Sequence, residues 1–384
     1  MAHNNTVFGQ ILKLVSRHDF EALANQHHSG QKLRKTSRWT QFVALSLGQL
    51  SQRISLRDIV SNLSAQTKKL YHLGCEPIAR SSLARLNEKQ PYTLYEAIFG
   101  KLFGQCKSYA PKHRFRFKNP LLSMDASTID LCLSAFPWAS FRRAKGGIKL
   151  HVGLDHNGYL PSFVQVTEAD THEVNVAQAM NFTKGSIVVF DRGYIDYKWY
   201  KQLENKGVFF VTRQKSNARY RVVDRRSVNK RQGLRSDQTI RLTGFYQKKD
   251  CDIPLRRISY RDPETGKRYI YLTNNFQLSA KTIADIYKER WQIELFFKWV
   301  KQNLKIKTFL GTTKNAVLTQ IWIAMIIYLM LAYIKFSSKL GISLQTISRL
   351  LQLNLFERRD LMMLLNPRPD VPDPEFAQVE MAGL

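Results

Sequence analysis

Cysteine is scarce in this sequence, and the few cysteines form no recognisable metal motif. The 384 residues contain four of them, with no CxxC pair and no histidine at the spacing of a zinc site. The four are Cys75, Cys106, Cys132 and Cys251. We therefore expect reduced thiols in a cytosolic protein, and neither disulfides nor structural zinc.

Negative charge is scarce as well. The chain has 59 Lys and Arg against 30 Asp and Glu, which gives a net charge of +29 and a pI near 10. A field of this sign and size suits a polyanionic partner, with nucleic acid the first candidate and an anionic membrane surface the second. The apolar fraction of 44% is ordinary, so the chain can bury a sizeable core.

Several common signatures are missing. The sequence holds no GxSxG nucleophile elbow, no phosphate-binding P-loop and no GxGxxG dinucleotide fingerprint. Residues 1–14 lack the pattern of a signal peptide. The run 316–334 is as long and apolar as a membrane span, but it contains Thr319 and Gln320 and stands alone. We predict a buried core helix there and no membrane protein.

The apolar pattern divides the chain into regions. We predict a helical region at 1–115, an α/β core at 116–212 and 279–340, and a basic β insertion at 213–278. Further helices follow at 341–365, and 366–384 is predicted to be a disordered tail.

The helical region contains a possible helix-turn-helix. A helix with a serine cap at 55–62, a glycine turn at 73–77 and a second helix at 79–87 fit that motif. Arg80 and Arg85 of the second helix would then contact DNA. Any pair of amphipathic helices gives much the same pattern, so an ordinary helical pair is the alternative.

The predicted core has the element order of a ribonuclease-H-like fold. Its elements are strands 121–124, 148–154 and 159–167, helix 172–182, strand 186–190, helix 196–205 and strand 207–212. An Asn-Gly turn at 155–158 predicts a hairpin between the second and third strands. This order favours a mixed α/β sheet that is antiparallel first and parallel later.

The insertion is strongly basic. Alternating runs at 239–246, 253–260 and 268–273 predict a small β subdomain. Its cations are interleaved with tyrosines, a combination that suits a phosphate backbone and stacked bases. The arginines that we expect to contact DNA are Arg219, Arg221, Arg225 and Arg226. An ordinary β meander with a solvated basic face is the alternative.

The stretch 279–309 contains no Gly or Pro and is predicted to be one long helix. At about 100° per residue, Tyr287, Arg290, Glu294 and Lys301 share one stripe. A carboxylate among cations is a poor proton donor but a good ligand for a hard metal, and the cations suit phosphate oxygens. The alternative is a solvated face of i,i+4 ion pairs.

Three acids stand out by position. Asp125 ends the first predicted core strand, Asp191 ends the fourth, and Glu294 lies on the long helix. Strand carboxyl ends gather at one edge of an open α/β sheet, and three carboxylates that converge there require a cation. Two Mg²⁺ or Mn²⁺ ions could clamp an in-line phosphoryl transfer. The pattern therefore predicts cleavage or joining of a nucleic-acid strand.

These residues resemble a known family. The chain has Asp125 in Met-Asp-Ala-Ser, Asp191 in Phe-Asp-Arg-Gly-Tyr, and the spacing Tyr-x2-Arg-x3-Glu-x6-Lys from Tyr287 to Lys301. In this it is similar to the DDE transposases of the insertion-sequence-four family. The resemblance implies cut-and-paste DNA transposition with Mg²⁺ by a synaptic homodimer, a ribonuclease-H-like core and a β insertion domain, in the nucleoid of a bacterium.

The resemblance also implies roles for single residues. Arg290 and Tyr287 would contact phosphate near the cleaved strand, and Lys301, with Lys298 on the same helix, would bind neighbouring phosphates. Relatives carry a tryptophan in the insertion that stacks on a flipped base, but 213–278 contains none. Tyr260, Tyr269 or Tyr271 could replace it.

Two other classes of function remain open. A ribonuclease-H-like nuclease without strand transfer would carry the same three acids, and only a strand-transfer assay separates it from a transposase. A repressor or an inactive remnant that only binds DNA is the other class, and the presence of all three acids argues against it.

Overall fold

The computed structural model describes residues 5–30, 33, 36–142, 145–339 and 341–366. The chain forms two compact units. One is built from the chain before Ala110 and after Trp299, and the other is Ala110–Trp299. The tail predicted to be disordered lies outside the described residues, except for Asn366.

Helices come first and last along the chain, and the strands lie between them. The first helices are α1 (Val7–Leu12), α2 (Arg17–Gln26), α3 (Arg38–Leu50), α4 (Leu56–Ala65), α5 (Thr67–Leu70), α6 (Arg80–Lys89) and α7 (Thr93–Tyr109). The next elements are β1 (Leu121–Leu131), β2 (Ser140–Arg142), β3 (Lys145–Asp155), β4 (Leu160–Glu168), α8 (Glu173–Ala179), β5 (Ile187–Phe190), α9 (Tyr197–Asn205) and β6 (Phe209–Arg213). They continue with β7 (Tyr220–Arg226), β8 (Leu234–Leu242), α10 (Phe245–Asp250), β9 (Leu255–Arg261), β10 (Arg268–Thr273), α11 (Ala280–Glu289) and α12 (Trp291–Asn303). The last helices are α13 (Lys314–Ser338), α14 (Leu344–Asn354) and α15 (Leu361–Leu365).

The unit Ala110–Trp299 is organised around one sheet. Its strand order is β2-β3-β1-β5-β6-β10-β9-β8-β7, and β4 pairs with β3. Strands β1, β5 and β6 run parallel, whereas β3 and β4 form the expected antiparallel hairpin. The turn of this hairpin uses Gly158 at a φ of +71°, a conformation that glycine adopts without steric cost. The expectation of a mixed α/β sheet is confirmed.

The basic region 213–278 continues this sheet and does not form a sheet of its own. Strand β10 pairs with β6, and β9, β8 and β7 follow in antiparallel order. A buried ion pair of 2.7 Å between Arg256 and Asp237 joins β9 to β8. The strand predicted at 239–246 was wrong in its second half, because β8 ends at Leu242 and α10 begins at Phe245.

Two elements near the candidate acids differ from the prediction. Strand β1 pairs with β3 along its length from Leu122 to Leu131, so Asp125 lies inside the strand and not at its end. The predicted long helix is broken at Arg290 into α11 and α12. There the N–H of Arg290 donates to the carbonyl of Tyr287 and the N–H of Ile293 to that of Arg290, a three-residue spacing tighter than an α-helix.

The possible helix-turn-helix has a longer connection than that motif uses. Helix α4 begins after Ser55, whose hydroxyl accepts a hydrogen bond from the N–H of Asp58 at 3.1 Å, as the sequence predicts. Between α4 and α6, however, lie α5 and a 3-10 turn at Tyr71–Leu73. A helix-turn-helix joins its helices by three or four residues, so the short turn that we expected was wrong.

Helix α13 organises the helical unit. It contacts α3, α6, α7 and α14. By length and composition α13 could cross a membrane, with a mean hydropathy of 2.1, but 94% of its most apolar window is buried. The predicted buried helix is confirmed. We assigned this helix to the α/β core at 279–340, whereas the helices that it contacts belong, with α13, to the helical unit.

Gln320 is a buried polar residue in this apolar helix, and its side chain has hydrogen-bond partners. Its side chain is buried, and its amide nitrogen donates to the carbonyls of Lys305 and Thr308 at 2.5 and 2.9 Å. Its amide oxygen accepts from the N–H of Leu310 at 2.9 Å. Gln320 therefore satisfies three backbone groups of the segment that precedes α13, as buried polar groups require.

Replacing Gln320 with Leu should lower the free energy of unfolding by about 2–4 kcal/mol, because buried backbone groups lose their partners. Urea denaturation followed by circular dichroism measures the change. The matched control is Gln302→Leu on the exposed face of α12, which should stay within about 0.5 kcal/mol of the parent. Equal effects of the two variants would contradict this role of Gln320.

Candidate active site

Arg290 joins two of the three predicted acids. Its Nη1 lies 3.2 Å from Oδ2 of Asp125, and its Nη2 lies 2.9 Å from Oε1 of Glu294. The side chains of Arg290 and Asp125 are only 13% and 19% exposed. Because the guanidinium is a rigid planar fork, the two carboxylates are neighbours around one cation.

The sheet brings Asp191 beside Asp125. Met124 of β1 and Phe190 of β5 are paired on parallel strands, and each acid is the next residue along its chain segment. The Oδ1 atom of Asp191 accepts a hydrogen bond from the N–H of Gly193 at 2.7 Å, which holds the side chain over the turn after β5. Parallel pairing thus places two of the predicted acids on adjacent strands.

Asp125 is held in an unusual electrostatic setting. Burial is the main cause that raises the pKa of its carboxyl to about 6. The charge of Arg290 and a 2.8 Å hydrogen bond from the N–H of Ala126 oppose the rise, and the charges of Asp191 and Glu294 add to it. Additional positive charge at this place would favour the ionised form.

The donor chemistry of these acids fits a hard divalent cation, since carboxylate oxygens are the ligands that Mg²⁺ and Mn²⁺ prefer. In the structure, Asp125 and Glu294 are both paired with the guanidinium of Arg290. Across the part of the chain that the structure describes, no group of three or more His, Cys, Asp or Glu side chains is spaced to hold a metal.

Tyr287 packs against Arg290. The guanidinium carbon of Arg290 lies 5.8 Å from the ring centre of Tyr287, and this ring lies 5.1 Å from that of Tyr271. Burial raises the pKa of the Tyr287 phenol, so its hydroxyl remains a hydrogen-bond donor at neutral pH. The aromatic cluster therefore restricts the positions that the guanidinium can take.

Two of the three tyrosines considered as a replacement for the missing tryptophan, Tyr260 and Tyr271, are buried. Tyr269 is half-buried and stacks on Tyr271 with ring centres 6.1 Å apart. Burial therefore argues against Tyr260 and Tyr271, and Tyr269 stays a prediction. Trp291, directly after Arg290, is 56% exposed, and sequence reasoning overlooked it.

Glu289 was also overlooked. Its buried carboxylate accepts a hydrogen bond from the hydroxyl of Tyr159 at 2.6 Å and pairs with Nη2 of Arg114 at 2.5 Å. These contacts tie the end of α11 to the β3–β4 hairpin and to the segment before β1. The available sequence signal is that Glu289 falls on the same helical face as the apolar Ile286 and Ile293.

The arginines around β7 fall into two groups. Arg219, Arg221 and Arg225 are exposed. Arg226 is half-buried, and its Nη2 donates to Oγ1 of Thr239 at 2.9 Å while its Nη1 lies 3.5 Å from Oδ1 of Asp237. Its guanidinium also lies 5.3 Å from the ring centre of Phe276. These contacts distinguish Arg226 from its exposed neighbours, a difference that the sequence did not indicate.

The remaining predicted DNA contacts lie on helices. Lys298 is exposed on α12, and Lys301 lies farther along the same helix with an intermediate exposure. Arg80 and Arg85 are exposed on α6. Their exposure leaves Lys298, Arg80 and Arg85 accessible to an external anion.

Known proteins resemble this chain over most of its length. A family model described as a transposase DDE domain matches residues 116–330, and one described as a domain of unknown function matches residues 3–76. A putative transposase, y4zB, of Sinorhizobium fredii is 33% identical over 76% of this chain and 81% of its own length. A probable transposase for insertion sequence element IS5377 of Geobacillus stearothermophilus is 29% identical over 66% of this chain and 67% of its own length.

A solved structure of the piggyBac transposase synaptic complex with hairpin DNA covers 98% of this chain and 83% of that chain at a TM-score of 0.47 and 12% identity. That likeness is too low to support a functional conclusion. The family match and the sequence relatives are sufficient by themselves. The chain belongs to the DDE transposase family. Within this family it is a transposase of the insertion-sequence type, an enzyme that acts on DNA.

The raised pKa of Asp125 predicts a pH-dependent stability in the absence of divalent metal. The folded protein binds a proton at this carboxyl more tightly than the unfolded chain does, because the usual pKa of an aspartate side chain is 3.8. Stability from this group is therefore present at low pH and declines as pH rises from about 4 to about 6, by about 2–3 kcal/mol.

Urea denaturation in EDTA at several pH values tests this prediction. Asp125→Asn should lose the decline and gain stability relative to the parent as pH rises through that window. Asp130→Asn, an exposed acid on the same strand, should follow the parent. A stability difference between parent and Asp125→Asn that does not change with pH would contradict the prediction.

Proposed function

We propose that this transposase moves its element by cut-and-paste. Water would cleave the DNA at the ends of the element, and the freed 3′ hydroxyls would then attack target DNA. The observation that carries the proposal is the pair Asp125 and Glu294 held across Arg290, with Asp191 on the adjacent strand. The spacing from Tyr287 to Lys301 supports membership of the insertion-sequence-four family, and the mixed sheet supports a ribonuclease-H-like core.

Asp125, Asp191 and Glu294 are the residues that would hold two Mg²⁺ or Mn²⁺ ions. Such ions, when bound, neutralise phosphate charge and stabilise the attacking and leaving oxygens of an in-line transfer. Asp125 would come from strand β1, Asp191 from the position directly after β5, and Glu294 from helix α12. Strands and helices keep catalytic groups in place better than loops do, and the hydrogen bond to Gly193 holds Asp191.

Arg290 would change partners during this reaction. In the structure its guanidinium neutralises Asp125 and Glu294. A DNA phosphate offers two oxygens in the geometry that a guanidinium binds bidentately. Movement of Arg290 from the carboxylates to the phosphate would free both acids, and the packing of Tyr287 keeps that movement short. Binding of a DNA end would thereby prepare the acidic site.

The DNA-binding surface would extend beyond the site. Lys298 and Lys301 would bind phosphates near the cleaved strand, and the exposed ring of Trp291 would stack on a base. The helical region at 1–115, with Arg80 and Arg85, would bind the ends of the element. Two chains would pair the ends in a synaptic homodimer in the bacterial nucleoid, where double-stranded DNA is the substrate.

Glu294→Gln tests the proposed chemistry, because the change keeps the shape of the side chain and removes a charged ligand. It should abolish cleavage of duplex DNA that carries the element's own ends, while binding of that DNA stays the same or tightens. Glu264→Gln, an exposed acid of the same unit that pairs with Lys288 at 3.1 Å, is the matched control and should cleave like the parent. Cleavage and joining are measured together in Mg²⁺ on a gel.

The outcomes separate the classes of function. If Glu294→Gln cleaves DNA at the parental rate, Glu294 and helix α12 are not part of the active site. Parental protein that cleaves but never joins the freed ends to target DNA would make it a nuclease without strand transfer. Parental protein that binds the ends and cuts nothing would make it a DNA-binding remnant.

The exposed arginines around β7 provide a second prediction. Replacing Arg219, Arg221 and Arg225 together with Ala should weaken DNA binding whatever the sequence. The slope of log K against log salt should fall by about 0.9 for each phosphate that the variant no longer neutralises. Filter binding at several salt concentrations measures the slope. Arg226→Ala is the contrast, since it should reduce stability and leave the slope unchanged. An unchanged slope in the triple variant would show that these side chains face away from DNA.

A further inference from the structure

A fourth acid, Glu173, lies beside Asp191. It is the first residue of α8, a helix that packs against β1 and against the 3-10 turn Arg192–Tyr194. Strand β1 carries Asp125, and this turn follows Asp191 directly. Helix α8 therefore brings a carboxylate to the two strands that supply the other acids, from a part of the chain that the family signature does not include.

The space around Gly193 shows how close the two carboxylates are. A Cβ atom built on Gly193 would lie 3.0 Å from Oδ1 of Asp191 and 3.1 Å from Oε2 of Glu173. Both oxygens thus face the same small volume, which is available because residue 193 has no side chain. The carboxylates of Asp191 and Glu173 both border Gly193, and the N–H of Gly193 donates to Asp191.

The two oxygens of Glu173 have different surroundings. Oε1 lies 3.6 Å from Nζ of Lys149, which also donates to the carbonyl of Thr171 at 3.0 Å. Oε2 is the oxygen that lies beside Gly193, whose N–H donates to Asp191. Lys149 thus supports the carboxylate from one side and leaves the other side directed at the acidic site.

The buried phenol of Tyr194 places Glu173 among the other acids. Burial is the main cause that raises the pKa of Tyr194, and the charges of Glu173, Asp125 and Asp191 each raise it further. The pKa of the Tyr194 phenol is therefore affected by all three carboxylates. Burial and the charge of Asp191 likewise raise the pKa of Glu173, against the effect of Lys149.

We propose that Glu173 is a positioning residue of the acidic site, which supports Asp191 and contributes a fourth carboxylate to the binding of divalent cations. This proposal rests on the function proposed above. Lys149 accounts for the position of Oε1, whereas Oε2 borders the same space beside Gly193 as Oδ1 of Asp191. Outer groups of this kind orient the direct ligands, and their loss weakens metal binding about ten- to a hundredfold.

Mn²⁺ binding to the full chain, followed by electron paramagnetic resonance, tests the proposal without an activity measurement. Glu173→Gln should weaken Mn²⁺ binding about ten- to a hundredfold. Glu264→Gln, which also loses a carboxylate that is paired with a lysine, should bind like the parent. Gly193→Ala provides a second variant that leaves every acid in place. Its methyl group would push the carboxylates of Asp191 and Glu173 apart, so it should weaken binding as well.

Asp191→Asn distinguishes failure of this proposal from failure of the proposed function. If Asp191→Asn loses Mn²⁺ affinity while Glu173→Gln and Gly193→Ala keep it, Glu173 is only a partner of Lys149 and the proposal is overturned. If Asp191→Asn also binds like the parent, or the parent binds no Mn²⁺, the proposed metal site itself is overturned. Should Glu173→Gln fail to fold by circular dichroism, Glu173→Asp, which keeps the charge and withdraws the carboxylate by one methylene, takes its place with the same expected loss, and parental Mn²⁺ affinity of that variant overturns the proposal.

Discussion

The fork of Arg290 between Asp125 and Glu294 is the interaction on which the acidic site depends. Two carboxylates in a half-buried position would repel each other and lose hydration without a cation between them. The guanidinium of Arg290 neutralises both carboxylates and thereby joins strand β1 to helix α12. The tighter local turn between α11 and α12 and the contacts of Glu289 fix where the side chain of Arg290 starts.

The backbone of the sheet supplies the other half of the site. Asp125 and Asp191 are brought together by the parallel pairing of β1 with β5, which is a property of the hydrogen-bond ladder and not of the acids. The acids themselves oppose their own proximity, since the charges of Asp191 and Glu294 add to the rise in the pKa of Asp125 that burial mainly causes. The hydrophobic residues of these strands therefore stabilise an arrangement that the charges alone would disfavour, as is common at functional sites.

Much of this arrangement could be predicted from the sequence, because it depends on local patterns. Apolar alternation and turn residues predicted the hairpin between β3 and β4, and the spacing along one helical stripe predicted that Arg290 and Glu294 would be neighbours. The parts that failed depend on distant partners. The extension of β1 past Asp125 follows from its pairing with β3, and the partial burial of Arg226 follows from its contacts with Thr239 and Asp237. Glu173 and Glu289 gave almost no signal, since each acts through residues far away in the chain.

Strand β7 has one further consequence for the molecule. Among the described residues it is the last strand of a ten-stranded sheet, and an outer strand offers backbone groups that can pair with a strand of another molecule. Its exposed arginines, Arg221 and Arg225, place positive charges along that edge of the sheet. The β7 edges of two molecules cannot approach each other without bringing these like charges together. The arginines that we propose to contact DNA would therefore also protect a large sheet from aggregation, and a chain without them should be less soluble.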